Sequence, residues 1–582
     1  MPDATPEASR VRILRSSELR GDGPFAVSAR GVDLVVVRTK AGLRAFQGRC
    51  PHRGALLGEG ELDGPTLVCR NHRWRFNLES GCREGGPECL TSHPLFEQHG
   101  EVFVDPGAPS LERTRRPAGG RSIQDLPGPK GLPVLGNLLQ LDLLRLHEIL
   151  EGWAAEHGPI YKYRMGPSWV VAVSTPELTE QVLRARPETY RRKANVEPVF
   201  AEMGVAGVFS AEGAAWRPQR RLAMEALSQR HLRGFYSTLE TVAERLKTRW
   251  QAAARAGGRT DILDDLKRFT VDVTTLLAFG HDVNTLEQGD EVIQRRLELV
   301  FPAFNRRLFA LVPTWRLLRM PVDRRLDRAL AEMRAWLREL VAKARARFEA
   351  DADRAERPSN FLEAMLAARD EAGQPFSDDV IFGNLMTMLL AGEDTTAYTL
   401  GWAVHHLCDS PAALEALRGE LDAVLRTSDV PGDIETANRL AYAGAVANEA
   451  MRLRPVAPLL FHEAIVDTVL GDVVLPAGTQ VTTLMRPPVL EGSHFHDPRS
   501  FRPERWLDAG GAAHEPSAHI PFGSGPRLCP GRTLALLEMK VVLATLFKSF
   551  RVEREGPSEA VRESFAFTMS PVELRVRVHQ RA

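Results

Sequence analysis

Two sets of residues in this chain have the types and spacing of metal ligands. Cys50-Pro51-His52 is followed, sixteen residues on, by Cys69-Arg70-Asn71-His72. One thiolate and one imidazole on each of two loops make a four-ligand site. That set suits a zinc ion, or a two-iron cluster in which two cysteines hold one iron and two histidines the other. Zinc fingers open on a pair of cysteines, whereas Cys-x-His comes first here. Near the other end, Cys529 lies in the run Phe522-Gly-Ser-Gly-Pro-Arg527-Leu-Cys529-Pro-Gly531. Gly523, Gly525 and Gly531 allow a backbone to approach a flat cofactor closely. Arg527 has the right head group for a carboxylate.

Three further patterns carry possible chemistry. Ala391-Gly392-Glu393-Asp394-Thr395-Thr396 puts acids beside hydroxyls, the pairing needed to deliver protons. The same triplet also suits a helix N-cap, but it interrupts the apolar run Leu385–Leu390, where no cap is needed. Glu449-Ala-Met-Arg452 places an acid and a base on one helix face. Trp216-Arg-Pro-Gln-Arg220 joins an indole to a guanidinium, and Pro218 suits a first helical turn.

The elements that must position these groups differ along the chain. At 582 residues at least two cores are expected. Residues 10–106 read as short strands between Gly-rich turns, for example Leu34–Val37 and Val102–Val104. Pro, Gly and Arg then crowd residues 107–124, which reads as a linker. The second domain, 125–582, opens on a proline-rich segment, and from about residue 140 helical periodicity dominates, as in 231–256, 322–350, 376–408 and 534–548, with short β segments near 159–174 and 469–483. The net charge of zero gives no electrostatic case for nucleic acid or an acidic membrane. No apolar run approaches the roughly 20 residues of a spanning helix, and the N-terminus lacks a signal-peptide pattern. A cytoplasmic protein without a transmembrane anchor is expected. Of six cysteines, Cys50, Cys69 and Cys529 belong to the two candidate ligand regions; Cys82 and Cys89 are near enough for a turn to pair them, but are expected as free thiols, with Cys408.

The first ligand set, with Gly54, Trp74, Phe76 and the Gly81…Gly85-Gly86-Pro87 turn, resembles Rieske ferredoxins. The second region resembles cytochrome P450s over residues 126–582, with the motifs in the family's order. The resemblance implies a small all-β Rieske domain followed by a mainly α cytochrome P450 domain with minor β-sheets. It implies a [2Fe–2S] cluster held by Cys50, His52, Cys69 and His72, and a haem b whose thiolate is Cys529. Trp216, Arg220, Ala391, Gly392, Phe522, Arg527 and Gly531 would contact the haem. Asp394 and Thr395 would handle protons for oxygen cleavage, and Glu449, Arg452 and Arg505 would form the family's structural triad. Ala55 and Arg70 or Asn71 stand where high-potential Rieske proteins have an extra disulfide, which points to a low-potential donor. Where many P450s have a further propionate-binding Arg, this chain has Leu460-Phe-His462-Glu463, which leaves two alternatives: His462 substitutes, or the contact is absent.

Together these features point to a monooxygenase acting with O2 on an apolar small molecule, a fatty acid, terpenoid or steroid. Val456–Phe461, Phe565–Phe567 and Phe301–Phe309 would line the pocket, and Arg306 and Arg307 are expected to be solvated. Resemblance to long-chain members with a Pro-Gly-Pro leader puts fatty acids first. With no Gly-x-Gly-x-x-Gly after a strand, electrons are expected from an external NAD(P)H-dependent flavin ferredoxin reductase. Three rivals stand beside this reading. His514, His519 and Asp508 could imitate the mononuclear iron site of a non-haem dioxygenase. A peroxide-using or rearranging P450, or a haem sensor, would need no proton relay.

Overall fold

The computed structural model describes residues 10–581 except 20–22, 40–41, 72, 87, 99, 107–119, 289–291, 311, 352–357, 370–372 and 508–514. His72, most of the expected linker, Asp508 and His514 therefore lie outside the described residues.

The N-terminal domain is built from ten short strands. They are β1 (Val11–Arg15), β2 (Phe25–Ala29), β3 (Val32–Thr39), β4 (Gly42–Gln47), β5 (Glu61–Asp63), β6 (Thr66–Val68), β7 (Arg75–Asn77), β8 (Ser92–His93), β9 (Leu95–Gln98) and β10 (Glu101–Val104). They form three antiparallel sheets in the orders β2-β3-β4-β8, β1-β10-β9 and β5-β6-β7. Successive side chains on a strand face opposite ways, and β3 uses this to feed two cores. Val35 and Val37 pack with Phe46, Cys50, Cys69 and Phe76, whereas Leu34 and Val36 pack with Leu19, Val102 and Val104. The Cys-bearing loops follow β4 and β6, so both rise from one buried floor.

The second domain is mainly helical. A five-stranded sheet contains β11 (Ile160–Met165), β12 (Ser168–Val173), β13 (Tyr190–Arg192), β14 (Leu459–Ala464) and β15 (Gln480–Leu484), in the order β11-β12-β15-β14-β13. Six helices matter to the site: α1 (Pro176–Arg184), α2 (Trp216–Ala226), α3 (Ile262–Phe279), α4 (Asp378–Cys408), α5 (Ala441–Leu453) and α6 (Arg532–Ser549). α4 crosses the core, and Leu385, Leu389, Leu400 and Leu407 along it are buried. Its cap is Ser377, whose hydroxyl accepts the Val380 N–H. The helix runs unbroken through 391–396, so those residues do not serve as a cap. Arg121 pairs with Asp472, and Ile123 and Leu126 are buried against Val171 and Val473.

Two expectations need correction. Cys82 and Cys89 are bonded to each other rather than free, because antiparallel bridging of residues 82 and 89 sets their side chains together. The pairing departs from the reducing environment expected for this chain. Arg307 is not solvated: its side chain is 2% exposed and faces Asp323 at 3.5 Å, which also accepts from Arg306 at 2.6 Å.

Candidate functional site

The two Cys loops of the N-terminal domain are near copies. Cys50 N–H donates to Ala55 O and Gly54 N–H returns to Cys50 O, both at 2.8 Å. In the second loop Cys69 N–H donates to Trp74 O at 2.7 Å and Arg73 N–H returns to Cys69 O at 3.0 Å. The fourth residue after each cysteine has a left-handed backbone, φ +66° at Gly54 and +59° at Arg73. Matching turns bring the two thiols within hydrogen-bonding reach of each other. The Cys50 thiol is pushed upward by this contact with Cys69 and by burial, against the pull of the His52 and Arg53 amides. Burial and the charges of Arg53, Arg83 and Arg184 hold His52 down to about 4, leaving the neutral ring that a metal ligand requires. Two crowded thiols and a neutral imidazole fit a metal cluster.

Cys529 closes a second loop. Its N–H donates to Phe522 O at 2.9 Å, and its sulfur accepts from the Gly531 and Arg532 amides where α6 begins. Burial raises the thiol overall, and those amides, Arg220 and Arg70 oppose the rise only in part; the same donors would stabilise the sulfur as a thiolate once it binds a metal. Gly525, at φ +69°, serves close packing here, since a Cβ would come within 2.5 Å of Leu183 O on α1. A Cβ at Gly531 would meet only the Cys529 Sγ, at 3.8 Å.

An excess of positive charge lies beside this loop. Trp216 is buried at the start of α2, with the Arg527 guanidinium 4.0 Å from its ring centroid. Arg527 donates to Ala211 O at 2.8 Å and to Glu212 at 2.5 Å, and Arg186 shares that carboxylate at 3.5 Å. Burial, with Arg186, Arg220 and Arg217, lowers Arg527 to about 9 despite Glu212. Arg192, on β13 opposite His462, is held well below the usual guanidinium range by burial and by Arg186 and Arg527. Arg186 Nε, Arg527 Nε and His462 Nδ1 are buried without a hydrogen-bond partner among the described residues. Three guanidiniums facing one carboxylate, with unused buried donors, fit the two propionates of a haem. Arg186, Arg192 and Glu212 were missed by motif reading because they fall between motifs.

On α4 the expected residues divide between faces. Ala391 is exposed and Thr395 half-buried one turn on, with Thr395 Oγ1 donating to Ala391 O at 2.9 Å. Gly392 instead allows helix contact, since a Cβ would come within 2.5 Å of Thr274 Oγ1 on α3. Asp394 is buried against Lys267 of α3 at 3.6 Å and bonds to Tyr398. Burial raises the Asp394 carboxyl, against Lys267 and Tyr398. Burial works to lower Lys267, but Asp394, Tyr398, Glu393 and Glu298 outweigh it and raise its pKa. Nearby on α6, Glu538 bonds to Thr396 and is pushed up to about 8 by burial.

Glu449 of α5 accepts from Arg452 at 2.7 Å, Arg505 at 3.0 Å and Trp506 Nε1 at 2.9 Å. The segments expected to line a pocket converge through aromatic contacts. Phe567 stacks on Phe301 with centroids 5.4 Å apart and meets Phe304 edge-on at 4.9 Å; Phe309 meets Phe461 at 5.1 Å. Phe567 has φ +78°, a costly conformation for a bulky residue and one often found at functional sites.

The two ligand regions touch. Arg53 O accepts from Gly525 N at 3.1 Å and Ser524 Oγ at 3.2 Å. Arg70 donates to Leu227 O at 2.6 Å, Pro530 O at 3.0 Å and Met224 O at 3.3 Å. Arg532 donates to Asn71 O, and Arg184 to the Pro51 and His52 carbonyls at 3.2 and 3.3 Å. Asp33 accepts from Arg49 at 2.8 Å and Arg217 at 2.6 Å. Arg220 turns to Glu59 of the β domain, at 2.8 and 2.9 Å, with the two side chains only 5% and 10% exposed. Leu56 is buried among second-domain residues including Trp216 and Val199.

Among the described residues, no helix is long and apolar enough to cross a membrane. The Rieske [2Fe-2S] domain profile matches residues 9–94 and the cytochrome P450 profile residues 126–578. Cyclooctatin synthase of Streptomyces melanosporofaciens is 31% identical over 477 residues, 80% of this chain and 97% of that protein. The mitochondrial 25-hydroxyvitamin D-1 alpha hydroxylase of Homo sapiens is 30% identical, covering 78% of this chain and 91% of its own length. A self-sufficient cytochrome P450 monooxygenase of Penicillium expansum is 27% identical over 78% of this chain, which spans 43% of that relative. The domains imply a thiolate-ligated haem and a [2Fe–2S] cluster. The chain belongs to the cytochrome P450 family, with a Rieske domain ahead of its haem domain.

Proposed function

We propose that the chain is a monooxygenase that receives electrons through its own Rieske domain from a separate NAD(P)H-dependent flavin reductase. It inserts one atom of O2 into an apolar substrate. The observation that carries this reading is the contact of both cluster loops with the Cys529 loop. When bound, the haem supplies oxygen activation and the cluster supplies electrons one at a time. Cys50, His52, Cys69 and His72 hold the cluster, and Cys529 holds the haem iron. Arg527, Arg186, Arg192 and His462 receive the propionates. Arg220, expected from its motif to join them, serves the domain interface through Glu59.

Thr395 presents the proton-handling hydroxyl on the accessible face of α4. Asp394, held by Lys267, is the carboxyl from which protons are resupplied, by way of a side-chain movement between Lys267 and Thr395. The Phe301, Phe304, Phe461 and Phe567 group excludes water and favours a fatty acid, terpenoid or steroid-like ligand. The names of the human and Streptomyces relatives extend the test panel to secosteroids and to the product named in cyclooctatin synthase.

The test uses the full chain carrying both cofactors, a flavin reductase and NADPH. A lipid, terpenoid and steroid panel is first screened by ligand-induced spectral shift, and hits are incubated under isotopically labelled O2. One labelled oxygen per product is expected, with no product from Thr395→Ala. Product formed from peroxide alone, with NADPH and reductase giving none, overturns the reading.

A further inference from the structure

The docked pose raises the question of how a reductase reaches a cluster whose loops already face another domain. The carbonyls of Pro51, His52, Arg53 and Asn71 all accept hydrogen bonds from the haem domain. Leu56, between the two ligand loops, is sunk in the haem domain's core. A partner approaching along this face would first have to break those bonds and displace the buried Arg220–Glu59 pair.

A different path leaves the cluster site on the other side. The His52 ring lies flat on Trp74, with centroids 4.3 Å apart and planes 4° from parallel. The Arg83 guanidinium covers the far side of that indole at 3.6 Å. Trp74 and Arg83 are half-buried, so the stack ends at the surface. Trp74 packs on the cluster that holds Cys50, Cys69 and Phe76, which contains no haem-domain residue. Arg83 is held in place by its hairpin: Arg83 N–H donates to Glu88 O at 2.8 Å, its side chain meets Glu88 at 3.1 Å, and the Cys82–Cys89 bond closes the base. The Arg83 head that this hairpin carries rests over Trp74.

We propose that electrons reach and leave the cluster on different faces, with Trp74 and Arg83 forming the surface on which the flavoprotein reductase docks. Tunnelling weakens steeply with through-space distance, so a ring in contact with a ligand imidazole is a short path to the surface. With both groups bound, each step would take one electron from the reductase's reduced flavin to one ferric iron of the cluster. Passing it on would return that iron to ferric and reduce the ferric haem iron to ferrous. The Rieske domain stays docked throughout. This inference rests on the electron route proposed above.

The test uses the full-length protein with both cofactors, mixed anaerobically with reductase and NADPH under carbon monoxide. Bleaching of the cluster reports the reductase step. Flash photoreduction of the cluster, which bypasses the reductase, followed by growth of the ferrous-CO haem band, reports the internal step. Trp74→Leu is expected to slow bleaching about ten-fold or more while leaving the internal step within about two-fold, and Trp74→Phe to keep most of the wild-type rate. Glu59→Gln is expected to do the reverse. The cluster's EPR signal checks its integrity. If Trp74→Leu loses that signal, Arg83→Ala, which keeps the indole on His52, carries the test with about five-fold slower bleaching expected. Unchanged bleaching in the intact variant overturns the inference, and so does faster bleaching in Glu59→Gln, which would mean that the domain must undock. Failure of the photoreduced wild-type cluster to reduce the haem would instead overturn the underlying electron route.

Discussion

Arg70 and Arg73 stand three residues apart on one ligand loop and behave in opposite ways. Arg70 reaches three haem-domain carbonyls, at Leu227, Pro530 and Met224. Arg73 points outward, 52% exposed, to Glu61 at 3.3 Å. The same division separates Arg49, whose guanidinium donates to Arg184 O and Glu188 of the haem domain, from Arg75, which pairs with Asp63 and Glu84 inside its own domain. The backbone at Arg73 is left-handed, at φ +59°. A guanidinium donating into a dry interface is charge-assisted and costly to lose. One paired in solvent contributes little. The side of its loop that an arginine occupies, not charge alone, separates those that dock the domain from those that do not.

The largest effect is expected from Arg70→Ala. It leaves three interfacial carbonyls without their donor, at about 1–3 kcal/mol for each one that stays unsatisfied. The internal electron step should fall about 100-fold, with the CO-bound haem spectrum unchanged. A rate within two-fold of wild type would end the distinction between the two groups of arginines. Glu59→Gln comes next. Truncating one partner of a buried charge pair costs about 2–5 kcal/mol, and a ten-fold slower internal step is expected. Buried pairs are weakly screened, so the wild-type internal rate should stay nearly flat as salt is raised. A steep fall with salt would show that the docking is a surface attraction.

Much of this site could be read from the residues alone, and what could not has a common cause. Ligand spacing and the ten-residue Cys529 run specify what each loop binds, because a metal and a flat ring constrain types and spacing locally. Partners across the interface are non-local: nothing near Glu59 announces Arg220, 161 residues away. Arg220 was expected to face the haem because its motif lies in one helix, and the motif says nothing of a second domain beside that helix. Cys82 and Cys89 were expected free because redox compartment was weighed above the turn that brings them together. Arg186 and Arg192 carry no local signature, yet the charge excess they create is among the clearest signs of an anionic cofactor.

The comparison of paired and unpaired charge extends to the carboxylates. Glu59 is buried with a guanidinium, whereas burial pushes Glu538, which bonds to the Thr396 hydroxyl, from 4.5 up to about 8. The sign follows from linkage. Between pH 4.5 and 8 the unfolded chain releases this proton while the folded chain keeps it. Stability contributed by the neutral form is present below about 4.5 and is lost as pH rises toward 8. Glu538→Gln, which keeps the shape without the charge, should raise the thermal midpoint at pH 8 by a few degrees and change little near pH 5. An equal shift at both values would trace the effect to packing rather than ionisation.

The smallest effect is expected where the comparison began. Arg73→Ala removes an exposed ion pair and leaves the left-handed backbone unchanged, so it isolates the charge. The change in stability should stay within about 0.5 kcal/mol, and the internal electron step should stay within two-fold of wild type. Arg73→Gly separates the backbone contribution: at φ +59° glycine relieves the Cβ strain that arginine bears, as Gly54 does in the matching loop. A gain of about 0.5–1 kcal/mol over Arg73→Ala is expected from thermal unfolding. If Arg73→Ala slowed the internal step as much as Arg70→Ala, the outward-facing side of the loop would also be a docking face, and the separation of the two faces would fail.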